Sequence, residues 1–216
     1  MTNIQKFQQL RQREKKRAQT KVALLNALLR RLDERDLTSI KIKDLARDAG
    51  VSEPTFFNYF VSKEHILEYF IEVWSVEVSL IAKNFASDDP VQAIQTLFVK
   101  SAEAIAAHPQ VMLEIIAHRT RSLGLPKHTL SDAEKWLLFP NEEGVEKIEG
   151  GGINAVLPPL IEQAVTQGAL TCEGRKLFLH LSALFFGAAL LVLPQTPSAY
   201  PGALQALVEE TLKGCA

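Results

Sequence analysis

Between Lys43 and Lys63 the chain gathers Lys43, Ser52, Glu53, Thr55, Asn58, Tyr59 and Lys63, with Pro54 and Phe57 set among them. Ammonium, hydroxyl, amide and phenol groups at such spacing are equipment for hydrogen bonding and charge neutralisation. The usual signatures of covalent chemistry are missing: no phosphate-binding glycine loop precedes a helix, and neither H-E-x-x-H nor G-x-S-x-G occurs. The five histidines are scattered, and Glu114 with His118 reads as a lone i,i+4 contact on a helix surface. Cys172 and Cys215 form no C-x-x-C and have no neighbouring histidine cluster, so neither a metal nor a cofactor is expected. Two cysteines fit a reducing compartment better than a disulfide framework.

Charge supports a polyanionic partner for this end of the chain. Residues 1–65 hold 14 Lys/Arg against 8 Asp/Glu, a net of +6, whereas the rest holds 10 against 17, a net of −7. The overall net of −1 conceals that polarity. The N-terminus is polar and basic, without the apolar core of a secretory signal. The longest apolar stretch, Leu177 to Leu193, is interrupted by His180 and Ser182 and stops at Pro194, so a buried helix is expected there and no membrane span. A cytoplasmic location follows.

The elements that must position the polar residues are helices. Val22, Leu25, Leu29 and Leu32 recur at three- and four-residue steps and predict a first helix from about Arg13 to Asp36, with Thr38 or Ser39 as candidate cap of the next. Ile42, Leu45, Ala46 and Ala49 make one apolar stripe of a short second helix, and Gly50 stands where a left-handed C-cap residue belongs. Ser52 caps a third segment, in which Pro54 is tolerable because it falls in the first turn. Ile42, Leu45, Val51, Phe56 and Phe60 are the expected core of this unit. Two short helices joined by Ala49-Gly50-Val51-Ser52, with a basic flank, meet the needs of a helix-turn-helix.

The run Ile42-Lys43-Asp44-Leu45-Ala46-Arg47-Asp48-Ala49-Gly50-Val51-Ser52-Glu53-Pro54-Thr55-Phe56-Phe57-Asn58-Tyr59-Phe60, followed by Ser62-Lys63-Glu64, resembles the N-terminal signature of the TetR family of bacterial regulators. About thirty residues match, through Leu67; the remaining two-thirds resembles the family only in length and helical character. The resemblance implies that Thr55 and Lys63 contact phosphates, with the positive end of a helix assisting Lys63. It puts Glu53, Pro54 and Asn58 at exposed positions that vary with operator sequence, and Lys43 within reach of a base or phosphate. Tyr59 takes the place of an aromatic residue or histidine that meets the backbone. The Asn58 amide suits adenine, and Glu53 could accept from a cytosine amine. Phe57 stands where the family usually has tyrosine and Lys41 where threonine is frequent, which replaces a phenolic contact by van der Waals contact and a hydroxyl by a cation.

The expected fold class is all-α, with about nine helices. Residues 1–66 are expected as a three-helix helix-turn-helix domain, 1–12 being a flexible basic arm, and 67–216 as a larger helical ligand-binding and dimerisation domain. Further helices are expected from Lys63 towards Ala86 and over Val91–Ala107, Gln110–Ser122, Ile153–Gln167, Gly174–Leu193 and Pro201–Lys213. Leu123 to Gly152, with one helical turn at Asp132–Leu138, is expected as a mobile loop that could act as a lid.

Leu177, Leu181, Leu184, Phe185, Ala188 and Leu191 are candidate dimerisation residues, burial inside one subunit being the alternative. Trp74, Phe98, Met112, His118, Trp136 and Phe139 are candidate effector-binding residues, although each taken singly is more often plain core. The expected function is a regulator, in the form of a repressor, that binds a palindromic double-stranded DNA operator as a homodimer and is released by a small molecule. The alternatives are a helical regulator without a ligand, using its motif on DNA or a protein, and an enzyme.

Overall fold

The computed structural model describes residues 1–85, 88–121 and 129–216. Its described residues contain α-helices and short 3-10 turns but no strand, and eleven helices stand where about nine were expected. The chain divides into two compact units, one of Met1–Trp74 with Ala117–Gly150, the other of Ser75–Ile116 with Gly151–Ala216. The expected boundary at residue 66 therefore meets a different partition, because 117–150 folds with the N-terminal residues.

The first unit contains α1 (Asn3–Gln8), α2 (Gln12–Leu32), α3 (Ile42–Asp48), α4 (Glu53–Phe57), the start of α5 (Lys63–Asn84), the end of α7 (Pro109–Arg121) and α8 (Asp132–Leu138). Leu24, Leu25, Leu28 and Leu32 line the buried face of α2 and share a core with Leu45, Phe56, Phe60, Ile66 and Leu67. Ile42 and Val51 are only half-buried. Thr38 and Ser39 cap nothing: they lie in a 3-10 turn, and α3 begins from Lys41 without a side-chain cap.

Residues 1–12, expected as a flexible arm, are largely helical. Thr2 and Gln5 form a capping box at the start of α1. Phe7 is buried with Ala18 and Ala133, and Leu10, Trp136 and Leu137 pack around them. The buried Asn3 amide donates to the carbonyls of Phe139 and Glu142 at 2.8 and 2.7 Å, and Lys6 pairs with Glu146 at 2.9 Å. The segment 129–150, expected as a lid, is thus a strap over α1 and α2. Ser131 and Glu134 cap α8, and the other Glu134 oxygen meets the buried Lys21 ammonium at 2.6 Å. No period in the sequence announces such long-range partners. Ala86, Ser122 and the start of the expected loop at Leu123 lie outside the described residues.

The second unit contains the rest of α5 and α7, with α6 (Pro90–Ala107), α9 (Ile153–Thr166), α10 (Gly174–Val192) and α11 (Tyr200–Lys213). α6 packs on α9 and α11, and α10 packs on the same two helices. Asp89 caps α6 by accepting from the Val91 and Gln92 N–H groups at 2.9 and 3.2 Å, with Pro90 in the first turn. Phe98 and Phe185 meet edge to face at 5.9 Å in the core, and the Tyr200 hydroxyl donates to the Phe185 carbonyl at 3.1 Å. α10 is the one described helix long and apolar enough to cross a membrane. One of its faces is buried in this bundle.

Candidate nucleic-acid interface

The turn between α3 and α4 is built on Gly50, whose φ is +69°. Val51 N–H reaches back to the Ala46 carbonyl at 2.9 Å and Gly50 N–H to the Arg47 carbonyl at 3.0 Å, the bond pair of a Schellman C-cap. A Cβ at position 50 would meet nothing within 4 Å, so backbone conformation alone calls for glycine there. The Ser52 hydroxyl then accepts from the Thr55 N–H at 3.3 Å and lies 2.8 Å from the Thr55 hydroxyl. Pro54 sits in the first turn, as its missing N–H requires.

α4 spans only five residues, too few to be stable alone. Phe56 anchors it, fully buried, with ring centroids 5.3 Å from Phe57 and 6.2 Å from Phe60. Phe60 continues the cluster to Tyr69 at 5.6 Å and His65 at 5.8 Å. With the apolar side of the helix fixed, Ser52, Glu53, Pro54, Phe57 and Asn58 are exposed, and Thr55 and Tyr59 are half-buried. Lys43 is exposed on α3, and Lys41 is exposed just before it. Phe57 and Val61 expose 52% and 73% of their surface, a large apolar area for a polar face. The sequence-predicted contact residues other than Lys63 therefore lie on the outer surface of one short, rigidly supported segment.

Lys63 departs from its expected role. Its ammonium donates to the carbonyls of Leu37, Thr38 and Ile40 at 2.5, 3.0 and 2.9 Å, which occupies all three of its N–H groups. It gathers the backbone that leads into α3. Other cations are also engaged within the unit. The Arg31 guanidinium lies 2.6 Å from Asp48 and binds α3 to α2, and Arg47 lies 2.9 Å from Asp44 within α3, so two positive charges are offset. Arg13, Lys16 and Arg17 are exposed along α2.

Burial and the nearby Lys21 ammonium, partly opposed by Glu68, hold His65 below its ordinary value of 6.5. Its Nδ1 accepts the Val61 N–H at 3.3 Å, a contact that needs the neutral ring. Burial would raise Glu134, but hydrogen bonds from Lys21 and Ser131 outweigh it and hold the carboxyl below its usual range. Hydrogen bonds, from Lys6 first and also from Trp136, hold the half-buried Glu146 down at about 2.

The six candidate effector residues are divided between the two units. Phe98 and Met112 are core residues of the second unit, whereas Trp74, His118, Trp136 and Phe139 belong to the first. His118 is buried and its Nε2 meets Glu68 at 2.7 Å. The Trp136 indole donates to Glu146 at 3.1 Å. Aromatic side chains suit a strap contact as well as a pocket wall, and sequence position alone does not distinguish the two. An open groove of about 470 Å³ lies instead along α9 and α10, lined by residues including Pro158, Ile161, Val165, Arg175 and Phe178. None of the six lines it.

The candidate dimer residues divide between the inside of the chain and its surface. Leu177, Leu181, Phe185 and Ala188 are buried within the chain, and Leu184 is half-buried. Leu191, 73% exposed, shares the outward side of α10 with Leu179, Phe186 and Leu190, which sequence reading missed. A helix apolar nearly all round gives no signal of which side meets its own subunit.

Residues 24–70 match the family model described as bacterial regulatory proteins, tetR family. The transcriptional regulator EthR of Mycobacterium tuberculosis is 28% identical over 122 residues, covering 55% of this chain and 56% of that protein. The chain thus spans about half the length of the curated relatives it matches. Among solved structures, the ketosteroid transcriptional regulator KstR2 of M. tuberculosis superposes with a TM-score of 0.60 at 16% identity, covering 96% of this chain and 97% of that one. Thermus thermophilus FadR, a transcriptional repressor solved with lauroyl-CoA, gives 0.54 at 21% identity, covering 89% and 91%. At such identities the superpositions establish the fold.

Proposed function

The chain belongs to the TetR family of transcriptional regulators, and from that premise we propose that it is a repressor that binds a palindromic operator as a homodimer and is released by a small molecule. The observation that carries the DNA half of this reading is the outward face of α4. Ser52, Glu53, Pro54, Phe57 and Asn58 are exposed there, with Lys43 nearby on α3, on a backbone held by Gly50, Leu45 and Phe56. Such a segment enters a major groove, with Asn58 reading a base edge and Lys43 meeting phosphate. Thr55 and Tyr59 complete the surface, and Lys63 rigidifies the lead into α3. A five-residue recognition helix reads few base pairs, so affinity calls for two copies.

The exposed Leu179, Phe186, Leu190 and Leu191 of α10, with Leu207 of α11, support self-association through these helices. The effector is supported by relatives, among them the FadR complex, rather than by the six residues named from sequence. Work on DNA of this kind belongs in the cytoplasm, and binding rather than catalysis is its chemistry.

Selection from a random pool of duplex DNA, followed by affinity measurements over a salt series, tests the reading. Enrichment of a two-fold symmetric site and a steep fall in affinity with salt are expected. Asn58→Ala should relax preference at one position in each half-site by about 1–3 kcal/mol, and Lys43→Ala should lower the salt slope by about one. A pool without enrichment, bound with salt-independent affinity, would overturn the proposal.

A further inference from the structure

Cys172 and Cys215 lie 43 residues apart in sequence, yet the fold brings them together. α9 ends in a left-handed Gly168, with Ala169 N–H returning to the Ala164 carbonyl at 2.9 Å, and the chain then runs through Thr171 and Cys172 into α10. Cys215 follows the last turn of α11. The Thr171 N–H and hydroxyl both donate to the Cys215 carbonyl, at 2.6 and 3.1 Å. These two hydrogen bonds to one carbonyl pin the two connections side by side, so that Cys172, the residue after Thr171, lies beside Cys215. Both are free and partly exposed.

We infer that Cys172 and Cys215 form an oxidisable dithiol, which hydroperoxides close to an intramolecular disulfide joining the start of α10 to the end of α11. Burial, a hydrogen bond to the Cys172 sulfur and its charge push the Cys215 thiol up to about 11. Cys215 therefore keeps its proton and is the poorer nucleophile, so the first attack is assigned to Cys172. The Cys172 sulfur attacks one peroxide oxygen, the O–O bond breaks, and the departing alkoxide or hydroxide takes up a proton. Cys172 is then a sulfenic acid. The Cys215 sulfur attacks the sulfenic sulfur, the S–O bond breaks, and the leaving hydroxide departs as water with the Cys215 proton. In sum two thiols lose two electrons and two protons, while the peroxide becomes an alcohol or water plus a second water. The crosslink constrains the two helices that carry the exposed apolar face, and does so whether or not the chain binds an operator.

The test uses the reduced full chain, treated with a few equivalents of hydrogen peroxide, quenched with iodoacetamide and weighed intact. Untreated protein should take up two alkyl groups. Oxidised protein should take up none and weigh about 2 Da less than the reduced chain, with a peptide map linking Cys172 to Cys215. Its thermal midpoint should rise by at least about 5 °C, as expected for a crosslink closing a long loop. Cys215→Ser should accumulate sulfenic acid at Cys172, trapped by dimedone, and Cys172→Ser should not. Wild type that still takes up two alkyl groups after peroxide, or that runs as a disulfide-linked dimer, would overturn the pair. Equal trapping in both variants would overturn Cys172 as the attacking sulfur.

Discussion

The three N–H groups of Lys63 all point at backbone carbonyls, so its contribution to DNA binding passes through the geometry of the lead into α3. Lys63→Ala should lower folding stability by about 2 kcal/mol and weaken binding to every sequence, with the salt slope unchanged. Urea unfolding beside a salt series checks both, and a normal midpoint with a slope reduced by one phosphate would return Lys63 to the DNA. His65 makes a pH prediction. Its folded value lies below the 6.5 of the unfolded chain, so the unfolded state takes up the proton first as pH falls. The stability it contributes is present above pH 6.5 and lost as pH drops through the lowered value. Thermal midpoints of wild type and His65→Gln between pH 8 and 5 should converge towards the acid end, and parallel curves would rule the effect out.

Among the elements, α8 shows most plainly how local and distant forces divide. Its capping box is written in four consecutive residues, Ser131 to Glu134, and the helical turn at Asp132–Leu138 is legible from them. Its docking is not, because Lys21, Phe7 and Asn3 lie more than a hundred residues away in the chain. Glu134→Gln would leave the Lys21 ammonium buried without its counter-charge, at a cost of about 3 kcal/mol. Chemical denaturation should show that loss, together with faster amide exchange in α1. The double variant Lys21→Met with Glu134→Leu should recover most of it, since an apolar pair needs no desolvation of charge. A wild-type midpoint in Glu134→Gln would mean the pair is not holding the strap.

At the scale of the molecule, α10 has one side for its own subunit and another left outside. Under the proposed homodimer, Phe186→Glu and Leu190→Glu should shift the sedimenting species to monomer while preserving helicity, because both side chains are exposed in the single chain. Leu181→Glu should instead unfold the second unit, since that side chain is fully buried against α9 and α11. An unchanged dimer mass in both surface variants would move the interface elsewhere.

The sequence by itself determined the helical class, the α3–α4 turn and the outward face of α4, because each depends on residues close in the chain. Gly50 sets its own backbone, Ser52 caps the next three residues, and Phe56 and Phe60 share a side of one short segment. Tertiary structure alone decided that 129–150 straps α1 rather than covering a pocket, that Lys63 serves carbonyls, that Leu177 and Leu181 turn inward while Phe186 and Leu190 turn out, and that Cys172 meets Cys215. Each of those depends on partners tens of residues away, or on which side of an all-round apolar helix finds a neighbour, and periodicity along a chain carries no record of either.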